Sequence, residues 1–237
     1  ANVYALVEAL SSRQKENQIT VVGNGSACVV GGHAYIIKKG QRFISNSAIA
    51  SMGYDLPAAI GAWTASRDKG CYCQGGDRSG DDLILVTGDG SMQMNLQELQ
   101  TIIHHRMGIK IFVINNGGYH SIRQTQKNFF GEPLIGIGVD SGDLSFPALD
   151  KLAAAYGYPY VSARHNSELG EAVEKNLAAE GPVICEVFVS MDQNFEPKSS
   201  AKRLPDGTMV SPPLEDLSPF LPDEEMDENM IIPRIKG

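Results

Sequence analysis

Apolar residues gather in short runs that read as β-strands: ITVVGNGSA (19–27), ending in a glycine-rich turn, RFISNS (42–47), LILVT (83–87), KIFVI (110–114) and VICEVFV (183–189). Short runs bounded by turn residues suit strands buried on both faces. Helical spacing takes over between them. It predicts helices at 3–12, at 56–67 with Pro57 in the first turn, at 92–107, at 147–156 and at 167–179. In the 92–107 segment Met92, Leu96, Leu99 and Ile103 share one face, and Gly108 stops the helix. Residues 67–82 read as a polar, glycine-rich loop. This alternation predicts an α/β fold over residues 1–190: a mostly parallel sheet with helices on both faces. Residues 191–237 read as an extended Pro- and acid-rich C-terminal tail. It carries seven of the twelve prolines, and seven acids fall within 215–228, so no strand or helix period is expected there.

In open parallel sheets, ligands bind beyond the carboxyl ends of the strands. Three loops fall at those ends: GNGSA (23–27), GDGS (88–91) and NNGGYH (115–120). Asp89 offers a hard anionic oxygen, Asn116 a neutral one, and Gly117 and Gly118 can bring backbone carbonyls close because they lack a Cβ. Mg²⁺ prefers such oxygens and shares its shell with phosphates. Gly90 and Ser91 add N–H groups and a hydroxyl at a helix start, where anions bind. Each loop alone is a common turn, and Asp89 alone is a plausible helix cap. The pairing is more specific. Residues 91–114, 24 in all, read as helix plus strand, so one right-handed crossover brings GDG and NN to adjacent strand ends. The pattern predicts a divalent cation on Asp89 and a diphosphate beside it. No G-x-x-x-x-G-K-[ST] occurs, which disfavours a P-loop nucleotide binder.

A formal net charge of −8 argues against nucleic acid and anionic membranes as partners. No apolar run approaches membrane-spanning length, and no signal peptide opens the sequence. The chain does not begin with Met, and its first residues read as a helix cut from something longer. Cys28 and Cys185 lie in apolar segments. Cys71 and Cys73 form a C-x-C pair without a second pair or a nearby His, a poor zinc set. This usage suits the cytoplasm.

GDGS followed by NN resembles the thiamine diphosphate (ThDP) motif of ThDP-dependent enzymes. FISNSAIASMGYDLPAAIGA (43–62) and INNGGYHSIRQTQKNFFG (114–131) resemble the acetolactate-synthase-like branch, the second as a cofactor loop followed by a helix. The likeness covers about residues 1–190 and corresponds to the C-terminal, diphosphate-binding domain of a longer chain. It implies ThDP and Mg²⁺ as cofactors, with Asp89, Asn116 and the Gly118 carbonyl as metal ligands. Asn24, Gly25 and Ser26 match the first diphosphate loop, and Gly88, Asp89, Gly90 and Ser91 the second. The backbone of Ala50 and Met52 matches the groups that bind the aminopyrimidine, and the Met52 side chain matches the wedge that bends ThDP. Tyr119, His120 and Ser121 border the reaction space, with His120 a candidate proton donor. No catalytic side chain is assigned. Tyr119 and Thr125 stand where acetolactate synthases tend to carry Gln and Trp, which leaves the substrate open. His104 and His105 end a helix and suit its dipole. Lys198, Lys202 and Arg203 could meet a substrate anion. The implied reaction decarboxylates a 2-oxo acid and ligates the product to a second carbonyl. Alternatives are a simple decarboxylase and a ThDP-binding subunit working with a separate pyrimidine-domain chain. The likeness also implies a homo-oligomer and a pyrimidine domain from the same or a neighbouring chain as the source of the activating glutamate; it leaves FAD open for a longer parent and places none on this chain.

Overall fold

The computed structural model describes residues 1–67 and 82–234. The chain separates into two compact units, Ala1–Gln193 and Asn194–Gly237. The first unit runs α1 (Val3–Arg13), β1 (Ile19–Val22), α2 (Ser26–Ala34), β2 (Arg42–Ser45), α3 (Asp55–Arg67), β3 (Leu83–Gly88), α4 (Asp89–Met92), a 3₁₀ turn (Gln93–Asn95), α5 (Glu98–His104), β4 (Ile109–Asn115), α6 (His120–Phe129), α7 (Leu149–Tyr156), β5 (Tyr160–Ala163), α8 (Asn166–Ala178) and β6 (Val183–Phe188).

The strands form one six-stranded sheet in the order β2-β1-β3-β4-β6-β5, and every pairing is parallel. Side chains alternate across it. Ile19, Val21, Leu83, Leu85, Ile109, Ile111 and Val113 join one core with Leu56, Leu99, Ile102 and Leu149, which belong to α3, α5 and α7. On the other side α1 packs against α2 and α8. The fold is therefore doubly wound. From β1 the chain goes to one side for β2, then crosses to the other side for β3, so the strand order reverses between β1 and β3. The loops after those two strands flank the switch point, where such sheets bind ligands.

The five strands read from the sequence all appear in the sheet, and so do the helices at 3–12, 56–67, 147–156 and 167–179, with shifted ends. Three features differ. The segment expected as one helix over 92–107 is broken into α4, the 3₁₀ turn and α5. It bends round Gly53, whose N–H donates to Ser91 Oγ at 3.0 Å and whose carbonyl accepts from Asn95 Nδ2 at 2.7 Å. Gly53 has φ +81°, and a Cβ there would lie 2.6 Å from Met94 Cβ. The predicted apolar face survives the break: Met92 and Leu99 are buried, and Leu96 and Ile103 pack against the core. The edge strand β5 and the helix α2 were not foreseen from the pattern. In α2 the pair Gly31–Gly32 reads as a breaker, yet a Cβ at Gly31 would lie 3.1 Å from the Phe43 ring, so the glycine permits close helix–sheet packing.

In the second unit β7 (Lys202–Arg203) pairs antiparallel with β8 (Met209–Val210), and α9 spans Asp223–Asn229. The tail thus carries short regular elements where none were expected. Three acids, Asp223, Glu224 and Glu225, sit in the first turn of α9, where its dipole favours them. Among the described residues, no helix is long and apolar enough to cross a membrane.

Candidate functional site

The first loop leaves β1 through Gly23, whose N–H donates to the Val86 carbonyl on β3 at 2.8 Å. Asp55, the first residue of α3, is buried and accepts from Thr87 Oγ1 at the end of β3. A Cβ on Gly23 would lie 2.6 Å from the Asp55 carboxylate, so Asp55 ties α3 to the ends of two strands at once. Asn24 Nδ2 donates to the Ala50 carbonyl at 3.0 Å, and Ala50 holds a left-handed φ of 53°. Gly25, at φ +59°, caps α2 without any side-chain hydrogen bond, so its first-turn N–H groups keep their capacity for an anion.

The second loop presents Asp89, which is buried. Its carboxylate accepts from Gly90 N at 2.7 Å and from Gly118 N at 3.1 Å, the latter across to the third loop. Burial pushes its pKa up to about 6, against the opposing pull of the Gly90, Gly117 and Gly118 N–H groups and of Arg123. The carboxylate is therefore short of compensating positive charge. In the third loop Asn116 donates Nδ2 to Ser26 Oγ at 3.0 Å, while its buried Oδ1 has no hydrogen-bond partner among the described residues. A buried unpaired amide oxygen is costly unless something else occupies it. A carboxylate short of positive charge and a spare amide oxygen suit a hard divalent cation. Among the described residues no three His, Cys, Asp or Glu side chains group as metal ligands, so a cation here relies on amide and backbone oxygens.

Asn115 and Asn116 do different work. Asn115 Oδ1 accepts from Gly117 N at 3.1 Å, and Nδ2 donates to Glu186 Oε1 at 2.6 Å. Glu186 is buried on β6 and accepts a second bond from the Tyr160 hydroxyl on β5. Asn115 thus anchors the loop to two neighbouring strands and leaves Asn116 to face the cleft. Eleven of the twelve residues expected at the cofactor line one cleft. These are Asn24, Gly25, Ser26, Met52, Gly88, Asp89, Gly90, Ser91, Asn116, Gly118 and Tyr119. Ala50 is outside the lining, and its carbonyl accepts from Asn24, which lines the cleft.

The sequence model of the family described as thiamine pyrophosphate enzyme, C-terminal TPP binding domain, matches residues 23–187. The chain belongs to this family. Its match includes all three loops and five of the six sheet strands, β6 without its last residue, and β1 precedes it. Among similar proteins are the acetolactate synthase large subunit of Cyanidium caldarium, 33% identical over 66% of this chain and 24% of its own, and the acetolactate synthase of Arthrospira platensis, 31% identical over 66% and 24%. Acetolactate synthase 1, chloroplastic, of Nicotiana tabacum is 27% identical over 81% of this chain and 27% of its own. The chain spans about a quarter of the length of these relatives. It is a C-terminal ThDP-binding domain of the acetolactate-synthase-like kind.

Within this TPP-binding domain, Met52 is half-buried at the cleft and stands apart from the core cluster. The Tyr119 ring packs edge-on to Phe146 at 5.9 Å and covers Gly90, where a Cβ would run into it. His120 lines the cleft, but both ring nitrogens are engaged: Nε2 meets the Gln193 carbonyl at 2.6 Å and Nδ1 meets Arg123 Nη1 at 3.3 Å. A carbonyl only accepts and a guanidinium only donates, so the proton sits on Nε2 and points at Gln193. Burial lowers the pKa of the ring, with Gln193 acting in the opposite sense. A neutral ring held in this way is poorly placed as a proton donor to the cleft. Ser121 also lines it, while Thr125 is exposed and donates to the Ser121 carbonyl at 3.1 Å. His104 and His105 pair edge-on at 4.8 Å at the exposed end of α5.

In the tail, Lys202 pairs with Asp216 at 3.9 Å and lies over the Phe220 ring. Arg203 is exposed, and the Lys198 backbone bridges to Ser218. Cys71 and Cys73 lie outside the described residues. Cys28 is half-buried, and burial pushes the Cys185 thiol up to about 12, which keeps it unreactive. Reading the sequence missed Arg123, Asp140 and Glu186. A charge inside a mostly polar helix or at the end of an apolar strand gives no periodic signal.

Proposed function

We propose that residues 1–190 form the ThDP- and Mg²⁺-binding domain of an enzyme that decarboxylates a 2-oxo acid and ligates the product to a second carbonyl. Residues 191–237 form a distinct tail. The observation that carries the reading is the spare Oδ1 of Asn116, in the same buried cleft as the Asp89 carboxylate. In this reading Asp89, Asn116 Oδ1 and the Gly118 carbonyl hold the Mg²⁺, and the α2 N-terminus with Asn24, Gly25 and Ser26 holds phosphate. ThDP, when bound, supplies the electron sink for breaking the bond to the substrate carboxylate. The chain's own residues bind and orient. Met52 shapes the space beside the backbone of Ala50, and Tyr119 with Phe146 closes the side next to Gly90.

The wall opposite the cleft comes from a pyrimidine domain of the same or a neighbouring chain, in a homo-oligomer. Apolar side chains near the cleft mouth and on α6 support this: Ile122, Phe129, Phe130 and Ile135 are exposed. The test is product analysis of the full-length protein with ThDP, Mg²⁺ and a panel of 2-oxo acids beginning with pyruvate. Carboligated products support the reading. Free aldehyde alone would replace it with simple decarboxylation, and no turnover without an added pyrimidine-domain chain would replace it with a subunit role.

A further inference from the structure

Arg123 is a fully buried side chain on α6, and no apolar stripe accompanies it. A guanidinium is a planar fork of five donors with no acceptor. Here the fork is spread over one loop system. Nε and Nη2 donate to the two oxygens of Asp140 at 2.7 and 2.8 Å. Nη1 donates to the Asn116 carbonyl at 3.2 Å and to His120 Nδ1 at 3.3 Å, and Nη2 also donates to the Gly117 carbonyl at 3.3 Å. The fork does not take the Gly118 carbonyl.

The loop it grips has much freedom to lose. Gly117 has φ +68° and Gly118 φ +150°, conformations that L side chains rarely adopt. A second segment closes on the same loop: Tyr119 N donates to the Ile137 carbonyl at 2.7 Å, and Val139 N to the Gly117 carbonyl at 3.1 Å. Asp140 follows that segment directly, so the ion pair pulls both sides of the pairing onto one rigid plane. A Cβ at Gly138 would lie 2.9 Å from Nη2, so the paired segment carries glycine where the guanidinium passes.

We propose that Arg123 is a positioning residue for the divalent cation: its guanidinium fixes the peptide planes of Asn116 and Gly117, leaving Asn116 Oδ1 and the Gly118 carbonyl for the metal. This rests on the Mg²⁺ reading given above. A lysine in its place keeps the charge beside Asp140 but cannot span two carbonyls and a carboxylate in one plane.

The experiment is calorimetric titration of Mg²⁺ into metal-stripped full-length protein with excess ThDP in solution, with melting of the metal-free form measured in parallel. Arg123→Lys should weaken Mg²⁺ binding roughly 10–100-fold, as loss of a group behind metal ligands does, in protein whose metal-free form still melts cooperatively. Asp140→Asn, which leaves the arginine in place but loosens its anchor, should weaken Mg²⁺ in the same direction by a smaller factor, and it decides the matter if the lysine variant does not fold. Asp89→Asn is the reference that removes a ligand. If both positioning variants bind Mg²⁺ like the parent while Asp89→Asn does not, the role of Arg123 is overturned and the metal reading stands. If Asp89→Asn also binds like the parent, the metal reading fails and this inference with it.

Discussion

At Asn116 the amide nitrogen is spent on Ser26 and the oxygen is left over; at Asp89 the buried carboxylate accepts from the Gly90 and Gly118 N–H groups. Two behaviours follow from single side chains in this neighbourhood. Asp140 is held below the ordinary carboxylate range, chiefly by its hydrogen bond to Arg123. A carboxylate whose folded pKa is depressed stabilises the fold above its unfolded pKa, and that contribution fades as pH falls through the folded value. Asp140→Asn should therefore flatten the loss of stability as pH falls below the ordinary Asp value of about 4, measured by denaturant midpoints through the acid range. An unchanged acid limb would mean the pair contributes nothing to stability. Met52 is the second case, because it borders the cleft instead of filling the core. Met52→Ala should lower turnover of the full-length enzyme by about 10²-fold, the scale of a misplaced reacting group, with a much smaller change in ThDP affinity. Intact turnover with only a lowered melting temperature would make Met52 a packing residue.

Among the elements, the pairing of 117–119 with 137–139 most directly shapes the site. A Cβ at Gly118 would clash with the Ile137 carbonyl and lie 2.7 Å from Gly138 Cα. Gly118→Ala should open the pairing, and hydrogen exchange at the Tyr119 and Val139 amides should rise from protected to fast. Continued protection would show that the loop accommodates the methyl group. The same elements show what the sequence displays and what it hides. Strands β1, β3, β4 and β6 were legible because burial on both faces leaves an unbroken apolar run. The edge strand β5 is only half covered, with Tyr160 and Val161 partly exposed, and its short run looks like loop. Helix α6 buries only His120 and Arg123, so periodicity could not find it, and only resemblance to the family implied a helix there. The break near Asn95 was hidden for another reason: it depends on the Gly53 backbone, distant in sequence. The cleft loops were legible because Gly, Asp and Asn at strand ends have few other uses at that spacing. Their supports, Glu186, Tyr160, Arg123 and Asp140, are set by tertiary contacts alone.

On the scale of the whole molecule, the strand order reverses between β1 and β3, and the cleft opens there. An activating carboxylate from a second domain is part of the proposed chemistry, and preorganisation between two rigid walls is lost without it. Residues 1–237 alone should release no CO₂ from pyruvate with ThDP and Mg²⁺, and turnover should appear when a pyrimidine domain is supplied. Robust turnover by the chain alone would place the activating group within it. The central claim is narrower: the cofactor is held through a cation on Asp89. Its most direct test is calorimetric titration of ThDP into the full-length protein, with Mg²⁺ and with chelator, for the parent and for Asp89→Ala. ThDP should bind the parent only when Mg²⁺ is present and should fail to bind folded Asp89→Ala under either condition. Equal ThDP affinity in the parent with and without metal, or an unchanged affinity in Asp89→Ala, would contradict it.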